Sequence, residues 1–320
     1  MIAMRWYRAA LVALWISGGA GAWAYAARRG YEASVAVPVA VALLVELSFY
    51  LALAFTEVRG RCETLVRLRF WMLPASALPA YLIAAVPTGI FTWDRLAALA
   101  LCAAAAAAWY RLLPACPAAD TGFLLLVAGT YISGLFGYIY PPPAEGLRIE
   151  ILGQLLWIRL GVAAALWFRR MDGIGFGFWP QRREWLVGLQ HFVTFLPLGV
   201  ALTYGLEFAR LSPAPGWWWK WPATFAGILW VVALGEEFFF RGLLQQWLSA
   251  RLGLRPGIVL AAVAFGAVHL PFREFPNWRF AILAAVAGWF YGRAFVYGGG
   301  IRAAMVTHAL TVATWRVLFR

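Results

Sequence analysis

Charge is scarce in this sequence: charged side chains make up 13% of its 320 residues, about half the share of an ordinary soluble domain. A globular surface of this size would go largely unwetted, so a soluble single-core protein is excluded. The 63% hydrophobic content excludes intrinsic disorder as well, because unfolded chains owe their state to low hydrophobicity. Cysteine is nearly missing. Cys62, Cys102 and Cys116 are odd in number and set among apolar residues, so no disulfide framework is encoded. Lysine occurs once, at Lys220, asparagine once, at Asn277, and histidine three times, at His191, His269 and His308. There is no HExxH helix and no glycine-rich nucleotide loop. Gly298 to Gly300, between two apolar runs, reads as a turn, and no internal repeat is visible.

Long apolar runs are abundant, and the mean hydropathy is +0.74. Stretches of roughly 17–22 residues, each enough to cross the hydrocarbon core as a helix, recur near 9–27, 34–56, 70–91, 95–113, 121–140, 149–168, 185–205, 222–248, 256–270, 279–297 and 301–319. They predict an all-α polytopic transmembrane bundle of about 10–11 spans, the run at 256–270 being short enough to be re-entrant. The net charge of +13 would suit nucleic acid, but all the basic residues except Lys220 are arginines, clustered between apolar runs. That is the positive-inside pattern, so the expected partner is the lipid bilayer and not nucleic acid. Alternation of the clusters predicts a cytoplasmic N-terminus with an uncleaved first helix. The arginine-for-lysine bias of a GC-rich genome points to a bacterial inner membrane.

The interruption from Arg169 to Glu184, rich in Gly and Arg, predicts a boundary between an N-terminal bundle of unknown role, 1–170, and a C-terminal bundle, 171–320. Trp217-Trp-Trp-Lys-Trp221 reads as an interfacial aromatic belt.

Ionisable side chains within apolar helices are costly and mark function until they are paired. In Gly235-Glu-Glu-Phe-Phe-Phe-Arg-Gly242, Glu237 and Arg241 stand four apart in the favourable acid-first order and neutralise each other. Glu236 is turned about 100° away and is free to face another cavity. Phe265 and His269 share a face of the following helix, and His308 lies mid-span in the final run. A carboxylate and two imidazoles in a low-dielectric setting supply what water activation requires: a base, and groups to hold the water and the developing oxyanion. Glu46 and Arg159, in the second and sixth runs, predict an interhelical ion pair. His191 reads as a hydrogen-bonded packing residue. With no histidine before His191, the three cysteines of the N-terminal half have no base for thiol chemistry.

Glu236-Glu237-x-x-x-Arg241, Phe265-x-x-x-His269, Ala287-Gly288 with Gly292, and His308 together resemble the four motifs of the CAAX-protease and bacteriocin-processing family, also called the Abi or type II CAAX protease family. The similarity runs from about Trp185 onward. It implies a glutamate-dependent intramembrane endopeptidase that needs no cofactor and acts on a membrane-embedded or lipidated peptide or protein tail. By resemblance Glu236 would activate water and Glu237, held by Arg241, would support it. His269 would position the water or polarise the carbonyl, and His308 would serve the oxyanion. Family members often carry an asparagine four residues after the last histidine. Here that position is Val312, which leaves the oxyanion to His308, Thr311 or Thr307. Two other readings stay open: a zinc protease with Glu236, His269 and His308 as ligands and Glu237 as base, and a non-catalytic scaffold or bacteriocin-immunity protein.

Overall fold

The computed structural model describes residues 2–171, 173–272 and 274–320. Among them there is no β-strand, only one isolated antiparallel bridge between Leu211 and Phe319. The chain forms two compact units, Met1–Arg170 and Met171–Arg320.

The first unit contains α1 (Ile2–Arg29), α2 (Ala33–Ala52), α3 (Thr56–Leu68), α4 (Met72–Ala75), α5 (Leu78–Ala85), α6 (Trp93–Leu112), α7 (Pro117–Ile132), α8 (Leu135–Ile139) and α9 (Ile151–Ala164), the last continuing as a wide π turn, Ala165–Arg169. Helix α9 is its core. Leu152, Leu155, Leu156, Trp157 and Leu160 to Ala165 are almost wholly buried, so apart from Gln154 and Arg159 the helix is apolar all round, as a central helix is. The second unit contains α10 (Arg182–Gly205), α11 (Trp217–Leu252), α12 (Leu254–Ala267), α13 (Trp278–Gly298) and α14 (Ile301–Leu318). Here α14 is central: α10, α13 and the first half of α11 pack against it, while α12 packs on α13 and on the second half of α11.

The protein is an integral, multi-pass membrane protein: among the described residues seven helices are long and apolar enough to cross a bilayer, or up to eight if a bent pair counts as one span. Four of the eleven sequence runs do not form such helices. The run at 70–91 is cut by Pro74 and Pro79 into α4 and α5, and together with α3 it makes a pair bent by 119°, since proline denies the backbone a donor. The run at 121–140 is split by Gly134 in the left-handed region (φ 67°), where glycine alone pays no steric cost. Helix α12 has 14 residues. Helix α14 carries His308, Thr307, Thr311, Thr314, Arg302 and Arg316. Hydropathy measures run length and does not register a break in the backbone.

Arg169 to Glu184, read from sequence as a boundary, is a packed wall of the second unit from Met171 onward. Ile174 is buried and its carbonyl accepts from Ile301 N at 2.8 Å, Trp230 Nε1 donates to the Phe178 carbonyl at 2.8 Å, and Glu184 pairs with Arg302 at 2.8 Å. The Trp217–Trp219 run opens α11 with its rings exposed.

Candidate active site

Helix α11 is not a uniform α-helix. Two wide π segments, Ile228–Ala233 and Phe238–Gln245, bracket the single α turn Leu234–Glu237 that carries the two glutamates. Such bulges re-aim side chains within a helix and recur at functional sites. Here they divide α11 into a half that packs on α14 and a half that packs on α12, with Glu236 and Glu237 at the junction.

Glu237 and Arg241 are fully buried and paired, Oε2 to Nε at 3.0 Å. The other carboxylate oxygen, Oε1, lies 2.8 Å from Nδ1 of His308. A carboxylate can only accept, so Nδ1 carries the proton and Nε2 of the neutral ring keeps a lone pair. That Nε2 stands 3.8 Å from Oε2 of Glu236, a side chain 35% exposed where its neighbours are sealed. The separation is too long for a direct hydrogen bond. Atoms this far apart are bridged by one water, and Glu236 Oε2 is itself buried with no hydrogen-bond partner.

Rings enclose the polar cluster. The guanidinium of Arg241 lies 5.0 Å from the centre of Phe265 and 5.8 Å from that of Tyr291, arrangements that favour a cation. None of its nitrogens makes a well-formed hydrogen bond. The third motif explains how α13 comes this close. A Cβ on Gly288 would meet Phe265 at 3.1 Å and Arg241 at 3.4 Å, and one on Gly292 would lie 2.5 Å from Oε1 of Gln245. Gln245, one step beyond Arg241 on the same face, donates to the Gly292 carbonyl at 3.1 Å.

The structure thus brings Glu236, Glu237, Arg241 and His308 together and sets Phe265 against Arg241, His269 and His308. His269 makes no hydrogen bond or ion pair to either glutamate. Its Nδ1 donates to the Phe265 carbonyl at 2.7 Å and its ring packs on Phe265 and Phe280, so its Nε2 is also the free nitrogen. The hydroxyl of Thr311 donates to the Thr307 carbonyl at 2.9 Å and that of Thr307 to the Gly188 carbonyl at 3.0 Å. Neither has a proton left for an oxyanion. Val312, one turn beyond His308, is half-buried. Among the described residues no group of three or more His, Cys, Asp and Glu side chains is placed to hold a metal ion.

Two residues absent from the sequence reading matter here, together with Asn277, which the sequence offered only as its single asparagine. Tyr291 stacks on His308. Gln245 extends the Glu237–Arg241 face. Asn277 pins the loop after His269, its Nδ2 donating to the Phe272 carbonyl and its Oδ1 accepting from Phe280 N. Helical spacing from the motifs would have found the first two, since Tyr291 is Gly288 plus three and Gln245 is Arg241 plus four. His191 stands apart from the cluster, with Nδ1 on the Val187 carbonyl and its ring on Tyr297.

Residues 217–314 match the family model described as Type II CAAX prenyl endopeptidase Rce1-like. No curated protein and no solved structure matches the chain. The matched segment covers the junction glutamates, Arg241, Phe265, His269, the α13 glycines and His308, so this part of the second unit is similar to the type II CAAX endopeptidases that its motifs resemble.

Proposed function

We propose that the second unit hydrolyses a peptide bond by a glutamate-activated water. The observation that carries this reading is the 3.8 Å gap between Glu236 Oε2 and His308 Nε2, with Oε2 buried and lacking any hydrogen-bond partner and His308 anchored by buried Glu237. A water in that gap gives one hydrogen to the carboxylate and the other to the imidazole lone pair, and its oxygen faces the substrate. Glu236 takes a proton as the water oxygen bonds to the scissile carbonyl carbon. The tetrahedral oxyanion then collapses, the C–N bond breaks, and the proton held by Glu236 passes to the leaving nitrogen. Glu237 holds His308 in the tautomer this requires, and Arg241 pairs with Glu237 and packs on the surrounding rings. His308 therefore holds the water instead of the oxyanion. His269, half-exposed and packed on Phe265, is the side chain left to serve the oxyanion.

The substrate class is a membrane-embedded or lipidated peptide tail, such as a C-terminal sorting helix or propeptide, and the setting is a bacterial inner membrane. The protein purified into lipid, a library of membrane-anchored peptides and mass spectrometry test this. Cleavage by the wild type that disappears in Glu236→Gln and survives chelation is the expected result. Loss on chelation would transfer the mechanism to zinc held by Glu236, His269 and His308. A library left intact by both the wild type and Val312→Asn would overturn the protease reading in favour of a scaffold.

A further inference from the structure

A single hydrogen bond fixes a direction but not a plane. The bond from Nδ1 of His308 to Glu237 leaves the imidazole free to swivel about that axis, and most settings would turn Nε2 away from Glu236. Some other contact has to set the plane. Tyr291 on α13 lies face to face with the imidazole, centroids 4.7 Å apart and planes within 10°. It is 2% exposed. Phe265 closes the edge of the same imidazole at 5.7 Å and 86°.

We propose that Tyr291 is a positioning residue for His308: its ring face, packed between Arg241 and the imidazole, fixes the imidazole plane so that Nε2 faces Glu236. This rests on the proposed role of His308 in holding the water, and it adds a residue that touches no reacting atom. Tyr291→Phe keeps the stacking face and removes the hydroxyl, whereas Tyr291→Leu removes the face. A 1 Å misplacement of a catalytic group costs about a hundredfold in rate, and the Leu variant is expected to lose about that much in kcat with KM little changed. The Phe variant should stay near the wild type.

A second readout needs no substrate. The three histidines make imidazole NMR of the 15N- and 13C-histidine-labelled full chain in nanodiscs assignable by single His→Gln variants. In the wild type and in Tyr291→Phe, His308 should give one tautomer, protonated at Nδ1, with ring protons displaced upfield by the stacked ring. In Tyr291→Leu the displacement should vanish and the tautomers mix, while His191 and His269 keep their wild-type signals and so report an intact fold. Tyr291→Met, close in volume and unstacked, is run beside it in case the Leu variant fails to fold. Unmoved His308 signals in a folded Leu or Met variant would overturn the proposal, and so would moved signals with unchanged kcat. If the wild type cleaves nothing, the protease reading fails while the NMR still decides whether Tyr291 sets the ring.

Discussion

Each unit buries one glutamate–arginine pair in its interior, and the two are built differently. In the first, Arg159 grips both oxygens of Glu46, at 2.6 and 3.1 Å, and two further donors go to the hydroxyl and carbonyl of Ser76 at 2.7 and 3.1 Å. Four of the five guanidinium donors are used and both carboxylate oxygens are paired. In the second, Arg241 touches Glu237 through one contact at 3.0 Å and otherwise faces aromatic rings. The second oxygen of Glu237 is committed to His308, and a second carboxylate stands beside the pair. A saturated network stiffens a core, whereas an undersaturated one holds chemistry in reserve at a cost in stability. Residue identity alone makes both pairs candidates. The count of satisfied donors tells them apart.

That contrast breaks most sharply at the two glutamates. Glu237→Gln should reduce cleavage about a thousandfold, within the range of a lost acid–base group, because the amide no longer fixes the His308 tautomer. Peptide turnover measured at saturating substrate checks it. Next comes the saturated pair: Arg159→Met leaves Glu46 charged and alone, at a cost of about 3–5 kcal/mol read from unfolding in detergent titrations. Adding Glu46→Leu should restore most of it. A smaller loss, about 1–3 kcal/mol from overpacking, is expected for Gly292→Ala, whose methyl group would press on Gln245, and the same titration detects it. Smallest is Asn277→Ala, which removes the cap on α13 and should cost about 1 kcal/mol with KM affected more than kcat, since the loop beside His269 loosens. An Asn277→Ala that abolished cleavage outright would place the loop in the chemistry and blur the distinction.

Much of this was legible in the sequence. The spacing of Glu237 and Arg241, the isolation of Glu236, the pairing of Glu46 with Arg159 and the close approach permitted at Gly288 and Gly292 all follow from helical geometry. What periodicity did not carry falls into three kinds. Breaks within apolar runs, at Pro74, Pro79 and Gly134, are local backbone events that average hydropathy conceals. The π turns flanking the glutamates leave no signature in composition. The hydrogen-bond commitments of Thr307 and Thr311, which close them to the oxyanion, depend on the helix's own carbonyls and on Gly188 of a neighbouring helix. Tyr291 passed as one more aromatic in a chain where aromatics make up 17%, and only its near-parallel contact with His308 distinguishes it.

Helix α14 bears on how the site is put together. Ala303 to Leu310 are buried without a gap, yet the helix holds an imidazole, three threonines and two arginines, and it is not among the seven segments apolar enough to cross alone. Lipid offers little to such a segment, and a polar group at mid-bilayer is penalised. Its solvent is other protein: α10, α11 and α13 form the sleeve that receives it. All three precede it in the chain. Synthesis therefore lays down the receptor before the ligand, and the cluster around Glu236 and Glu237 is incomplete until His308 docks.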